Sequence, residues 1–586
     1  MKNTNPFMIS ISRAIPLPVA LQLSMEATYN NKSKSTRRII YFITCLLLIA
    51  YCLLPTAVFA QKDTAKKATT IDITSTYKPV LRSAVKINLA ASHLKPDSTN
   101  PKLEYDIPAQ NLFYTYQPIP LTPAALQMDS NLNLGLRNYL KAGVGNLSTA
   151  YLSGGFSFGN GKKYLANLYT DYISSKGKIE HQDFSKFTIK GTGSYFLPRN
   201  EVYGSATISQ TVNYLYGYDH ALYNYKKKDS LRNPFQDIAL RAGIRNTVMG
   251  DYGISYNPSI EISNFVNKDK LEESSLVLNA PVKKEFGDAL AVKVEARADI
   301  TTYHSKGFAP NNIRLSNNVF QVSPSLAYSS PKFSINAGLI PTWNNGTFVW
   351  LPNVYAEGQV PGKIFLLQAG WVGRYTKNTF RNLSAINPYL KPLTAQQNTK
   401  EIEYYGGLKA TIGKHFNFSA KAGLVRFTNM QFFVNDTTTD GRSFVMSNED
   451  KVNDLRVHGD LSYVNQDKFT VTAGLTLNGY TGMKNNLRAW NTVPMEITGS
   501  VRWWAYKQVM LKADLYAFGG GNYLTKGNLG GNFRPGTDLS AGVEFKINKS
   551  FSAWLDVNNL LNNKYERWHN YPVNGLSVLG GLKLNF

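Results

Sequence analysis

From about residue 137 to its end, the chain alternates apolar and polar residues over long runs. "LAVKVEARADI" sets Leu290, Val292, Val294, Ala296, Ala298 and Ile300 against Lys293, Glu295, Arg297 and Asp299. "FTVTAGLTLNG" sets Phe469, Val471, Ala473, Leu475 and Leu477 against Thr470, Thr472, Thr476 and Asn478. "FTIKGTGSY" and "LSAGVEFKI" repeat the scheme. Successive side chains of a strand point to opposite faces, so such runs are strands with one apolar and one wet face. A soluble β-sandwich or β-helix would do this, and so would a membrane barrel around a wet lumen. Soluble strands average about five or six residues, whereas tilted membrane strands need about nine to eleven. Most runs here reach ten or more.

The links between runs separate the two architectures. Counting back from Phe586, short turns stand at 548–550, 505–507, 465–467, 413–415, 329–332, 287–288, 249–251, 198–200 and 160–162. Between them lie longer links at 559–575, 519–536, 481–493, 428–453, 377–399, 304–316, 267–272, 217–233 and 175–184. The links near 346 and 148 are short but fall on the long-loop side. Short turns at one end and long loops at the other are the pattern of an outer-membrane barrel. The expected fold is an all-β transmembrane antiparallel barrel of about 22 strands, with short periplasmic turns and long extracellular loops. Trp503, Trp504 and Tyr506 fall at a strand end, where an interfacial aromatic girdle belongs.

The chain's end fits the same scheme. In "VNGLSVLGGLKLNF" the residues Val578, Gly580, Leu582, Leu584 and Phe586 form one lipid-side face, and Lys583 lies on the other. Mean hydropathy is negative, too polar for a helical membrane protein. Only Ile39 to Ala60 approaches the length of a spanning helix. That segment follows Lys32, Lys34, Arg37 and Arg38 and ends in Val58-Phe59-Ala60, the pattern of a secretory signal peptide. Cleavage is expected between Ala60 and Gln61, and Met25 is an alternative start. Three segments follow: a signal peptide over 1–60, a proline-rich periplasmic arm or reduced plug over 61–135, and the barrel over 136–586.

Both cysteines, Cys45 and Cys52, fall inside the signal, so the remainder has no disulfide, thiolate metal site or cysteine nucleophile. The net charge is +25; residues 1–60 hold six Lys/Arg and one Glu, which leaves +20 on the rest. A basic exported chain suits lipopolysaccharide phosphates or anionic solutes. Without a nucleic-acid motif, nucleic acid is not an expected partner. The histidines are dispersed and show no HxH or HExxH spacing, so neither a metal site nor a cofactor is expected. Asp219-His220 at a loop is the one candidate for a rim-active enzyme. Adjacent strand residues point apart, which argues against their pairing, and no catalytic residue is assigned.

Lys186, Lys190, Lys293, Arg297, Arg456, Lys512 and Lys546 lie on the polar, lumen-side faces, together with Glu295, Asp299, Asp460, Asp514 and Glu544. Such cations either tune a pore toward anions or pair across strands. Two aromatic loops, Tyr214 to Tyr225 and Met483 to Trp490, are candidates for stacking on sugars or aromatic solutes. The glycine-rich Phe518 to Phe533 lacks the lysine and helix of a phosphate cradle and reads as a mobile surface loop.

The segment "VNNLLNNKY" (Val557 to Tyr565), followed by Gly575, Gly580, Gly581 and terminal Phe586, resembles the final hairpin of the TonB-dependent receptors. That resemblance implies a 22-stranded barrel whose lumen is closed by a globular N-terminal plug and driven by an inner-membrane coupling protein. It also implies outer-membrane lipids and the barrel assembly machinery as partners, the terminal aromatic being the assembly signal. Thr70, Ile71, Asp72, Ile73 and Thr74 resemble the family's short coupling box. Residues 61–135 are too few for the family plug and carry Pro96, Pro101, Pro108, Pro118, Pro120 and Pro123, which favour extended chain. The expectation is a plugless or plug-reduced relative, like receptor-type barrels of the Bacteroidota, in the outer membrane of a Gram-negative cell. It serves transport or surface ligand binding, with TonB or a surface lipoprotein as partner. The alternative is a structural or assembly barrel whose arm (Tyr77 to Ala125) docks periplasmic or lipoprotein partners.

Overall fold

A computed structural model describes residues 138–586, apart from 251, 269–270, 307–311, 361–363, 414, 437, 439, 466–467 and 525–529. The chain divides into two units, Met1–Pro108 and Ala109–Phe586, and every described residue belongs to the second. Ala60, Gln61, the segment Thr70 to Thr74 and the arm 61–135 therefore lie outside the described residues.

The strands form one closed antiparallel barrel. Its first strand, Tyr139–Gly145, pairs with the second and also with the last, Ser577–Asn585, from Tyr139↔Asn585 to Gly145↔Leu579. Twenty-three strand segments make 22 wall strands. The seventh is split into Ile254–Tyr256 and Ser259–Asn267, both held on Leu271–Phe286. Pro258 sits in that break, where its missing N–H costs the wall nothing. The long connections all fall at one end, as the link lengths imply, although a few links at that end, such as 146–148 and 345–346, are short. Asn345-Gly346 makes the tightest outer link because both residues adopt positive φ, 48° and 84°, as a two-residue hairpin turn requires.

The alternation is realised as an outward apolar wall. Val292, Val294, Phe320, Val322, Leu326, Leu367, Leu424, Leu455 and Leu582 are exposed outward, and their strand neighbours turn into the lumen. A closed wall also leaves no unpaired edge, which the hydrocarbon layer demands. Strand length varies from 7 residues at Tyr139–Gly145 to 22 at Phe444–Asn465, so some strands rise well past the membrane and support the loops.

Candidate functional site at the outer mouth

The longest outer loop, 377–398, turns inward over the lumen. It carries a short helix, Phe380–Ile386, whose N-cap Thr379 accepts a hydrogen bond from the Asn382 amide. The next two open amides are taken by the wall: Glu273 accepts from Phe380 N at 2.7 Å and from Arg381 N at 3.1 Å. Around them Lys377 Nζ donates to the Asp299 carbonyl at 3.0 Å and to Thr301 Oγ1 at 2.7 Å. Arg381 pairs with Asp237 at 2.8 Å, and Leu393 N donates to the Tyr303 hydroxyl at 2.9 Å. Asp299, Thr301 and Tyr303 are two residues apart on one strand and share its inner face. The loop is thus tied to the inside of the mouth. Phe380 packs there against Phe235, Phe265 and Tyr303, with ring centroids 6.0 to 6.3 Å apart.

Three loops meet above this anchor. Loops 215–231, 377–398 and 559–576 are the third, seventh and eleventh of the outer connections, about a third of the wall apart. Each contributes one tyrosine to a common cluster. Tyr389 stacks on Tyr571 at 3.6 Å and 17°, and Tyr216 lies 4.8 Å from Tyr571 and 6.3 Å from Tyr389. All three are buried, and Trp568, Phe433 and Phe444 extend the same core. Chains leaving the wall a third of the circumference apart can touch only by spanning the opening. The knot therefore crosses the mouth. Burial pushes the Tyr216, Tyr389 and Tyr571 hydroxyls above the ordinary phenol range, so all three stay protonated donors. Tyr216 Oη donates a hydrogen bond to the Pro572 carbonyl at 3.0 Å, and Tyr571 Oη donates one to the Arg442 carbonyl.

Loop 436–443 braces the same assembly. Phe444 N donates to the Tyr389 carbonyl at 3.0 Å, and Lys391 pairs with Asp436. Burial alone would raise the Asp436 carboxyl; hydrogen bonds from Lys391 and Thr438 outweigh it and hold the group below the usual range.

Below the knot, charges line the inner wall in cross-strand pairs. Glu401 takes Arg374 at 2.5 Å and Arg456 at 3.0 Å, and Arg456 also lies 3.4 Å from Asp454. Lys421–Glu403, Arg502–Asp514 and Lys512–Asp556 follow at 3.0, 2.9 and 2.7 Å. Of the lumen cations read from sequence, Arg297 pairs with Asp299, and Arg456 and Lys512 are paired as above. Lys186 feels Asp171 across the strands, and Lys546 sits 4.0 Å over the Trp504 ring. Lys190 and Lys293 lie on the same inner face, Lys293 directly opposite Lys283. Lys583 approaches Glu544 at 3.5 Å, while Leu582 and Phe586 are exposed on the lipid side.

Several expectations need correction. Trp503 and Tyr506 are exposed outward, but Trp504 is not in the girdle. It follows Trp503 directly and so turns inward, and a bulge at Ala505 brings Tyr506 back out. Tyr216, Tyr218 and Trp490 are buried in loop packing rather than offered to solutes. The glycine-rich stretch is ordered at its base as a hairpin, Asn522–Leu524 on Gly530–Asn532, which Arg488 clips through Asn522 and Asn532 at 2.9 Å each. Asp219 and His220 do not pair: Asp219 accepts from the Ala221 amide, and His220 Nε2 contacts the Tyr216 carbonyl at 3.0 Å. Among the described residues no group of His, Cys, Asp and Glu side chains is arranged to hold a metal ion. Lys377, Tyr389, Trp568 and Tyr571 escaped the sequence reading because loop residues carry no periodicity that marks what they meet, and Glu273 escaped it because alternation gives its face on the strand but not its partner.

No protein-family model matches the chain, and no curated protein matches it. Solved structures do match. The siderophore receptor PirA of Acinetobacter baumannii aligns at 11% identity with a TM-score of 0.60, over 77% of this chain and 80% of that one. The FrpB iron transporter of Neisseria meningitidis aligns at 9% identity and a TM-score of 0.60, over 78% and 83%. A mutant of the ferric enterobactin receptor PfeA of Pseudomonas aeruginosa aligns at 12% identity and 0.57, over 77% and 80%. At such identities the likeness is one of fold, a closed antiparallel barrel of 22 strands.

Proposed function

We propose that this chain is an outer-membrane receptor of the TonB-dependent type, which captures a solute at its outer mouth and passes it inward through the barrel. The observation that carries the reading is the Tyr216–Tyr389–Tyr571 knot, a set of loops drawn across a polar lumen rather than left at the rim. Loops so placed control entry, which a purely structural barrel does not need. The proteins of similar fold are a ferric enterobactin receptor, a siderophore receptor and an iron transporter, so a ferric siderophore is the first solute class to try. The reading includes a plug-reduced chain of the Bacteroidota type, with secretion by cleavage at Ala60-Gln61. It also includes energy coupling to TonB through Thr70 to Thr74 and delivery to the assembly machinery by the Val578 to Phe586 face. It calls for no catalytic step.

Iron uptake from ferric catecholate siderophores tests it in cells that depend on this protein. Joining Tyr389→Cys to Tyr571→Cys with a short bismaleimide should stop uptake, while each single variant treated alike keeps it. Uptake that continues through the cross-linked mouth would refute the entry role. Deleting Thr70 to Ser75 should abolish uptake and spare surface binding; unchanged uptake would remove energy coupling from the proposal.

A further inference from the structure

The wall is thinnest where it closes. Tyr139–Gly145, Phe551–Asn558 and Ser577–Asn585 have 7, 8 and 9 residues, against 20 in Phe416–Asn435. At about 3.3 Å per residue and a tilt near 40°, such strands rise roughly 18 to 23 Å, less than the ~25 Å apolar band of an outer-membrane barrel. The exposed apolar surface nonetheless continues past their outer ends. Val144 is 73% exposed, and beyond the strands Leu560, Leu561 and Leu576 are 42%, 55% and 36% exposed.

These residues are held rigidly. Asn559 is fully buried, and its Nδ2 donates to the Asn563 and Asn574 carbonyls at 2.8 and 3.0 Å. Its Oδ1 accepts from Asn563 N at 3.0 Å. The turn closes from Asn562 N to the Asn559 carbonyl at 2.8 Å, with φ of 51° at Asn559 and 50° at Asn562, a left-handed conformation that asparagine tolerates. Asn562 Oδ1 then accepts from Leu576 N at 3.0 Å, and Asn146 Nδ2 donates to the Leu576 carbonyl at 3.1 Å. Three buried or bonded asparagines thus fix the leucine turn beside Leu576 and Val144. So much polar scaffolding to hold two leucines outward has no purpose in a watery loop.

The geometry points to a lipid-contact site: the Leu560-Leu561 turn enters the outer leaflet and extends the apolar belt over the short seam. The surface runs through Leu576 into the lipid-facing column Val578, Gly580 and Leu582 of the last strand, so its occupant is the acyl chains of the surrounding leaflet. The "NLL" within Val557 to Tyr565 would then serve to anchor the seam in the membrane.

The chain's two cysteines, Cys45 and Cys52, can be replaced by Ser and a single probe site added. Leu561→Cys, labelled with a polarity-sensitive fluorophore in phosphatidylcholine vesicles, should be quenched several-fold more by acyl-chain spin labels than by iodide. The control Leu487→Cys, at a loop residue 80% exposed, should show the reverse. A Leu561 label as open to iodide as the control overturns the proposal. So does a label shielded from both quenchers at high protein-to-lipid ratio, which would assign the turn to a second copy. Because labelling leaves the scaffold asparagines intact, loss of folding does not confuse the result.

Discussion

Replacing Glu273 with alanine removes one of the wall's ties to the mouth loop without touching the knot itself. The carboxylate is 1% exposed and accepts from the Phe380 and Arg381 amides at 2.7 and 3.1 Å, with Gln396 Nε2 at 3.3 Å. In Glu273→Ala two amides at a helix start keep their burial and lose their acceptor. Each unsatisfied buried donor costs about 1–3 kcal/mol, while relief of the buried charge returns part of the sum. A net of about 3 kcal/mol against the docked loop corresponds to roughly a hundredfold rise in the undocked population. Hydrogen exchange on peptides covering 377–398, in the folded protein in detergent, reads this directly. Protection there should fall about a hundredfold, while the strands keep theirs. Glu273→Gln retains one acceptor oxygen and should fall between the two. Unchanged exchange over 377–398 in Glu273→Ala would mean that the Glu273 carboxylate does not hold the loop start, and the anchoring role given to it would fail.

Asp436 supplies a pH dependence. Its folded carboxyl lies below the ordinary value, so its contribution is complete above the unfolded value near 3.9 and is lost as pH falls through the lower folded one. Exchange over 436–443 and 377–398 should therefore be flat through neutral pH and rise only under strong acid; Asp436→Asn should remove the acid rise. Arg456→Met would leave Glu401 and Asp454, both buried, without a shared cation. Glu401 keeps Arg374, so the orphaned charge is Asp454; the cost should be about 3–5 kcal/mol in denaturant unfolding, and adding Asp454→Asn should recover part of it. Gly581→Ala should block closure, because a Cβ there runs into the Ala142 carbonyl and Gly143 Cα across the seam. The folded, faster-migrating form on unheated gels should disappear, whereas Gly191→Ala, with open space around it, should keep that form.

The alternation of Leu290 to Ile300 was enough to orient every side chain of that strand, since a period of two leaves only the choice of face, and lipid takes the apolar one. Link lengths similarly carried the sidedness and the strand count. The girdle reading of Trp503, Trp504 and Tyr506 rested on their place at a strand end; alternation turns Trp504 inward, and the bulge at Ala505 returns Tyr506 to the outer face. Lumen charges were legible as a set, yet not as pairs: Arg456 finds Glu401 on a strand 55 residues away.

What the sequence determined by itself is the barrel, its two ends and its wet and dry faces. All of these follow from periodicity, and periodicity is local. The mouth was decided by tertiary structure alone. Tyr216, Tyr389 and Tyr571 stand in three loops separated by more than a hundred and fifty residues of chain, and nothing in their neighbours marks them as partners. They meet because 22 strands close into a ring and place the third, seventh and eleventh loops about a third of the way round from one another at one opening.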